Sequence, residues 1–132
     1  MSRIMTISIC LALWAASAAA VESCPIYETR AWHAWIDNAG ENGSNRLIVF
    51  GQVDLPSPGF IVDWEAGPMD RMNPPSWRVR LRATPPNGAV AQVIMPTDLT
   101  MILPTDISRF RSIVILCGDR SLVEISDVIP RD

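Results

Sequence analysis

Downstream of residue 20, apolar positions recur at every second residue in short runs, and clusters of Pro, Gly, Asn and Asp separate the runs. Residues 77–83 show the period most cleanly: Trp77, Val79, Leu81 and Ala83 alternate with Arg78, Arg80 and Arg82. Successive side chains of an extended chain point to opposite faces, whereas a helix would mix these two sets around its circumference. The segment is therefore a strand with one apolar and one cationic face. Residues 46–55 place Leu47, Val49, Gly51, Val53 and Leu55 on one face. After the turn Pro56, Ser57, Pro58, Gly59, the residues Phe60, Val62 and Trp64 alternate with Ile61, Asp63 and Glu65.

Pro85, Pro86, Asn87 and Gly88 make the next turn, and residues 89–95 are apolar almost throughout. Residues 96–109 read as a longer connection with room for a short edge strand at 99–103. Residues 112–117 and 121–128 form a hairpin around Gly118 and Asp119. Residues 27–37 fit two periods: Trp32, Trp35 and Ile36 have helical spacing, while Trp32, Ala34 and Ile36 share a strand face, and the strand is preferred. Short strands with turns at this frequency predict an all-β, immunoglobulin-like antiparallel sandwich of seven or eight strands.

The first twenty residues differ from the rest. Arg3 precedes the apolar run 4–14, and a small-residue stretch follows at 15–20, with Ala18 and Ala20 spaced as a cleavage site. This is the pattern of a secretory signal peptide over residues 1–20, with residues 21–132 as a single domain. A retained membrane anchor needs about 18 apolar residues without such an exit, so the mature form is expected not to span a membrane. Export places the chain in the periplasm or outside the cell. Removal of the leader removes Cys10 and leaves Cys24 and Cys117, which have one possible intramolecular pairing in an oxidising compartment. That bridge is expected to pin the N-terminal strand onto the sheet at its end.

The formal charge of -3 and the absence of lysine argue against a nucleic-acid partner, which would need a basic footprint. Catalytic routes lack parts. His33 is the single histidine and has no acidic cluster beside it in sequence, so no metal set is expected; no Gly-x-Ser-x-Gly elbow or phosphate loop is present, and no cofactor is implied. Asp63 and Glu65 lie two apart on one strand face, within the separation of a glycosidase acid and base, but an exposed pair of this kind is common and has no apolar sequence context to mark it as catalytic. The arginines Arg78, Arg80 and Arg82 have two readings: an anion-binding stripe, or a ladder paired with Asp63 and Glu65 on an adjacent strand.

Candidate binding positions are the aromatic and methionine side chains at expected loop tips. They are Phe60 after the Pro-rich turn, the loop Met69, Asp70, Arg71, Met72, Asn73, Pro74, Pro75, and Trp35 if Trp32 faces inward. Segments 30–35, 47–51, 58–60 and 115–118 resemble a functionally uncharacterised family of small exported bacterial proteins, and that resemblance implies no activity. The turn at 56–60 resembles the Asn-Pro-Thr-Thr-Gly-aromatic loop of chagasin-type cysteine-protease inhibitors. The likeness carries over only to Pro58, Gly59 and Phe60, and the family's glycine-rich and Arg-Pro-Trp loop motifs are not present. The expectation is a non-catalytic exported module that binds an envelope or secreted protein, or a cell-wall polymer, through loop tips and one sheet face. The alternative is an inhibitor of a secreted hydrolase, either a protease or lysozyme.

Overall fold

A computed structural model describes residues 23–131; the expected signal peptide lies outside the described residues. The described residues form seven strands: β1 (Thr29–Asp37), β2 (Arg46–Leu55), β3 (Ile61–Met69), β4 (Ser76–Thr84), β5 (Met95–Pro104), β6 (Phe110–Cys117) and β7 (Arg120–Val128). A single 3-10 turn at Glu41–Gly43 interrupts the β1–β2 connection, and no α-helix occurs among the described residues. Two sheets result, β1-β2-β5 and β3-β4-β6-β7. Their facing sides share one core, in which Leu47, Val49 and Val53 of β2 and Met101 of β5 meet Val79 of β4 and Ile113 and Ile115 of β6. The alternation read along 46–55 and 77–83 is the alternation of burial. Leu47, Val49, Val53 and Val79 are wholly buried, and Arg78, Arg80 and Arg82 are exposed.

Trp77 anchors the second sheet. Its ring stacks on Phe110 with centroids 5.5 Å apart, and its indole N–H donates to the Gly67 carbonyl at 2.7 Å, so the polar end of a buried aromatic is satisfied. The Cys24–Cys117 disulfide forms as expected. Cys24 precedes β1 in the first sheet and Cys117 ends β6 in the second, so the bridge ties the two sheets together at one end of the molecule.

Four expectations need correction. The sheets are not wholly antiparallel, because β4 and β6 pair in parallel. The chain between them makes one pass through the other sheet as β5, and two strands separated by one oppositely directed strand run the same way. The expected short edge strand at 99–103 is the ten-residue β5, an edge strand paired with β2 along its whole length. Residues 89–94, apolar though they are, form part of an exposed connection; pairing begins only when Met95 comes opposite Leu55. Met69 is not a loop residue. It closes β3 opposite Trp77 and packs against the core, which leaves the loop as residues 70–75.

An aromatic groove beside the first strand

The expected loop-tip patch is not assembled. Phe60 and Met72 lie beyond opposite ends of β3, and nine residues of strand at about 3.3 Å each separate them by roughly 30 Å. Phe60 is half-buried against the core, while Arg71 and Met72 are exposed in a loop closed by Asp70. The Asp70 carboxylate accepts hydrogen bonds from the backbone N–H groups of Ser76 at 3.0 Å and Met72 at 3.1 Å. The Ser76 bond, with that from Met72, holds the Asp70 carboxyl below the usual range.

The arginine stripe faces the carboxylates as the register requires, with Asp63 opposite Arg82 and Glu65 opposite Arg80. Arg82 approaches Glu65 at 3.8 Å with both side chains more than half exposed, and Arg80 donates to the Gly118 carbonyl. Such exposed pairs contribute about 0.2–1 kcal/mol each. Arg78 lines a shallow depression with Asp70, Ser76, Ser112 and Glu124, which brings one cation and two carboxylates to the same surface. The stripe is a mixed-charge solvent face.

Trp35 has the more informative surroundings. β1 is an edge strand that carries a bulge between Arg30 and His33, with Ala31 in the left-handed region at φ 58°. A bulge re-aims the side chains that follow it. Here Trp32, Ala34 and Ile36 face the core, and His33 and Trp35 face outward. The Trp32 ring lies flat on Gly51: a Cβ there would come within 2.3–2.5 Å of three indole atoms, so only glycine leaves room for it. The indole nitrogen of Trp32 is buried without a hydrogen-bond partner.

The C-terminal segment forms the other wall. After Asp127, at φ 54°, the chain leaves β7 and crosses to β1. There the Ile36 N–H donates to the Ile129 carbonyl at 3.2 Å and the Arg131 N–H donates to the Ile36 carbonyl at 3.0 Å. The Arg131 guanidinium sits 4.7 Å above the Trp35 ring in a cation–π contact. Between these walls runs an open groove of about 690 Å³, lined mainly by Trp32, Trp35, Phe50, Ile125, Ile129 and Arg131.

The groove continues onto the outer face of the first sheet. His33 lies opposite Phe50, and Trp35 lies opposite Ile48, which in turn lies opposite Ile102. Ile48 is on the outer face by alternation yet only 6 % exposed, because its neighbours cover it; Ile102 remains 46 % exposed. Two bidentate ion pairs hold β1 to β2 at either end of this surface, Arg30 with Asp54 and Arg46 with Asp37. The guanidinium hydrogen bonds lower the carboxyl pKa of both aspartates.

Of the sequence candidates, the groove takes up Trp35 alone. Phe50, Ile125, Ile129 and Arg131 were missed, and so was the apolar surface at Ile48. A signal existed in the four consecutive apolar residues Leu47, Ile48, Val49 and Phe50, which break the alternation and require both faces of β2 to be apolar there. Among the described residues no group of His, Cys, Asp and Glu is placed to hold a metal ion. In comparisons with protein families, curated proteins and solved structures, nothing matches this chain.

Proposed function

We propose that the chain is an exported, non-catalytic binding module of the periplasm or the extracellular medium, and that the groove beside β1 is its binding site. The observation that carries this reading is the lining itself: Trp32, Trp35 and Phe50 converge with Ile125, Ile129 and Arg131 on one open concavity. Aromatic and arginine side chains around a desolvated centre are the composition of binding hot spots. Among the described residues, the titratable groups that line the groove are His33 and Arg131, and no described carboxylate, serine or cysteine lines it beside His33. With so few polar groups to meet the hydroxyls of a sugar chain, the groove favours an apolar segment of an envelope or secreted protein over a cell-wall polymer.

Export is supported by the leader pattern and by the disulfide, which belongs to an oxidising compartment. Among the described residues no helix is long and apolar enough to cross a membrane. The division into three and four strands over one core supports an immunoglobulin-like arrangement, and the parallel β4–β6 pairing departs from it. The hydrolase-inhibitor reading loses its projecting loop, because Ser57 is buried and Phe60 is half-buried in the turn that resembles the chagasin loop.

The test is capture from an envelope extract and, separately, from purified cell-wall polymer on the immobilised, oxidised domain. A saturable protein partner is expected, with affinity lowered at least about thirtyfold by Trp35→Ala, the loss of one hot-spot side chain. Retention of the polymer alone, or protein capture indifferent to Trp35→Ala and Phe50→Ala, would overturn this assignment.

A further inference from the structure

The two sheets hold different numbers of strands, and the mismatch leaves a strand position unfilled. The tail after β7 bonds to Ile36 of β1, which puts β1 and β7 on one flank. Counted from that flank, β2 lies over β6 and β5 over β4, and β3 has no described strand across from it. Burial records the gap. Trp64 and Ala66 of β3 share the inner face with Leu81 and Val79, their partners on β4. Leu81 is 2 % exposed and Val79 is wholly buried, but Trp64 is 40 % exposed and Ala66 is exposed with it.

The edge of β5 that borders the gap is unpaired. The Thr105 N–H donates to the Asn45 carbonyl at 3.1 Å, and the β2–β5 register runs on from that pair without a bulge. Backbone groups in an antiparallel pair alternate between the two sides of a strand. Leu103, Met101 and Leu99 therefore bond to β2, and the N–H and C=O groups of Asp98, Thr100 and Ile102 point outward, where no described strand follows. A fourth strand added here would bond to these three residues and cover Trp64. The β5 of a second copy cannot be that strand. A two-fold axis that pairs two β5 edges antiparallel keeps both four-stranded sheets on one side, and their overhanging β3 strands would occupy the same space.

The chain also carries a strand-like segment that lacks a strand partner. Residues 91–94 (Ala, Gln, Val, Ile) are exposed, uncharged and continuous with β5. They cannot fold back onto their own β5, because no residue is left for a turn between Ile94 and Met95. We propose that the protein forms a two-fold dimer in which residues 91–94 of each copy fill the vacant strand position of the other. With the axis at Pro96, Ile94 comes opposite Asp98 of the second copy, Val93 opposite Leu99 and Gln92 opposite Thr100. Proline faces proline at the centre, where neither has an N–H to leave unpaired. β3 and β5 start at the same end, and Trp64 and Leu99 lie about 10 and 13 Å in from it, so Val93 of the second copy arrives over Trp64. The seven steps from Thr84 to Ala91 reach about 23 Å, enough to cross the roughly 10 Å between sheets and carry Ala91 about 13 Å beyond Met95. Glu28, Asp119 and Arg120 lie at this end too, but on the β1 and β7 flank, away from the axis. The two aromatic grooves stay open on the outer flanks, which makes the dimer bivalent.

The experiment is sedimentation equilibrium of the oxidised chain lacking residues 1–20, which keeps every residue of the core from Cys24 to Val128, from about 1 μM to about 1 mM. A reversible monomer–dimer equilibrium is expected. It should be weakened at least about tenfold by Val93→Asp in the exposed connection, and likewise by Thr100→Pro, which removes an outward N–H. Trp35→Ala should leave it unchanged, which separates this contact from the proposed binding site. Under oxidation, a mixture of the Gln92→Cys and Thr100→Cys chains should crosslink into a heterodimer, and neither chain alone should crosslink. A monomer at every concentration, a dimer indifferent to Val93→Asp, failure of the mixed pair to crosslink, or crosslinking of either cysteine variant with itself would overturn the proposal.

Discussion

The two outer faces of the molecule are made of strands of similar length, and the four-stranded face has the more conspicuous sequence pattern. Its three arginines alternate perfectly and remain exposed, and Arg80 and Arg82 stand opposite carboxylates, with a 3.8 Å ion pair at Arg82. The three-stranded face has no such pattern. Instead it buries Ile48 on its outside, flanks it with Trp35 and Ile102, and opens at its edge into the aromatic groove. A regular polar stripe marks a face whose groups water already satisfies, whereas apolar side chains on an outward face mark one that water serves badly.

That contrast can be tested by perturbations of decreasing size. Replacing Cys24 and Cys117 by serine removes a cross-link over 93 residues and is expected to cost about 4 kcal/mol, by loop-closure entropy. Because the bridge joins the sheets, denaturant curves read from either face should shift together. Curves that separate would mean that the sheets are independent units. Gly51→Ala should act on the three-stranded side alone. Its Cβ would collide with the rigid Trp32 ring, at about 1–3 kcal/mol, and the near-ultraviolet dichroism of the tryptophans should change with groove binding lost. Full retention of both would show that the ring is not held where the groove needs it.

Acid should loosen the same side first. Asp37 and Asp54 have pKa values lowered by the hydrogen bonds from Arg46 and Arg30, so their contribution is present above the ordinary carboxylate value of 3.8 and is lost as pH falls through the lower folded values. Amide exchange across β1 and β2 should accelerate in that range, and Asp37→Asn with Asp54→Asn should flatten the dependence. Asp70, also held low, leaves a residual slope. The smallest effect is expected from Arg80→Gln with Arg82→Gln, a stability change within about 0.5 kcal/mol per site and unchanged capture of any partner. A large loss of binding there would restore the anion-binding reading of the stripe.

Much of the fold was legible because it is local. Alternation placed β2 and β4, and counting cysteines after leader removal left one bridge. Residues 89–94 were misread because apolar, β-branched composition records a tendency to be extended, and a strand exists only where another strand pairs with it. Nothing in the order of residues shows that β5 takes its partner from β2 or that β4 lies beside β6. The groove escaped for a related reason: its walls come from residues 32–50 and 125–131, brought together by the bulge at Ala31 and the turn-away at Asp127, two backbone features that a period-two pattern does not encode.

The parallel pairing of β4 with β6 also constrains the order of assembly. A hairpin can close as soon as its second strand exists, but β4 must wait while residues 85–109 travel to the other sheet and back. The interior position between β4 and β7, the cysteine that locks the sheets and the tail that seals the edge of β1 all come from residues 110–131. Any growing chain that has not yet produced them holds an open core with no stable smaller version of the fold. The domain should therefore remain unfolded until residues 110–131 have been made, a state compatible with passage through a narrow channel, and then fold in one cooperative step.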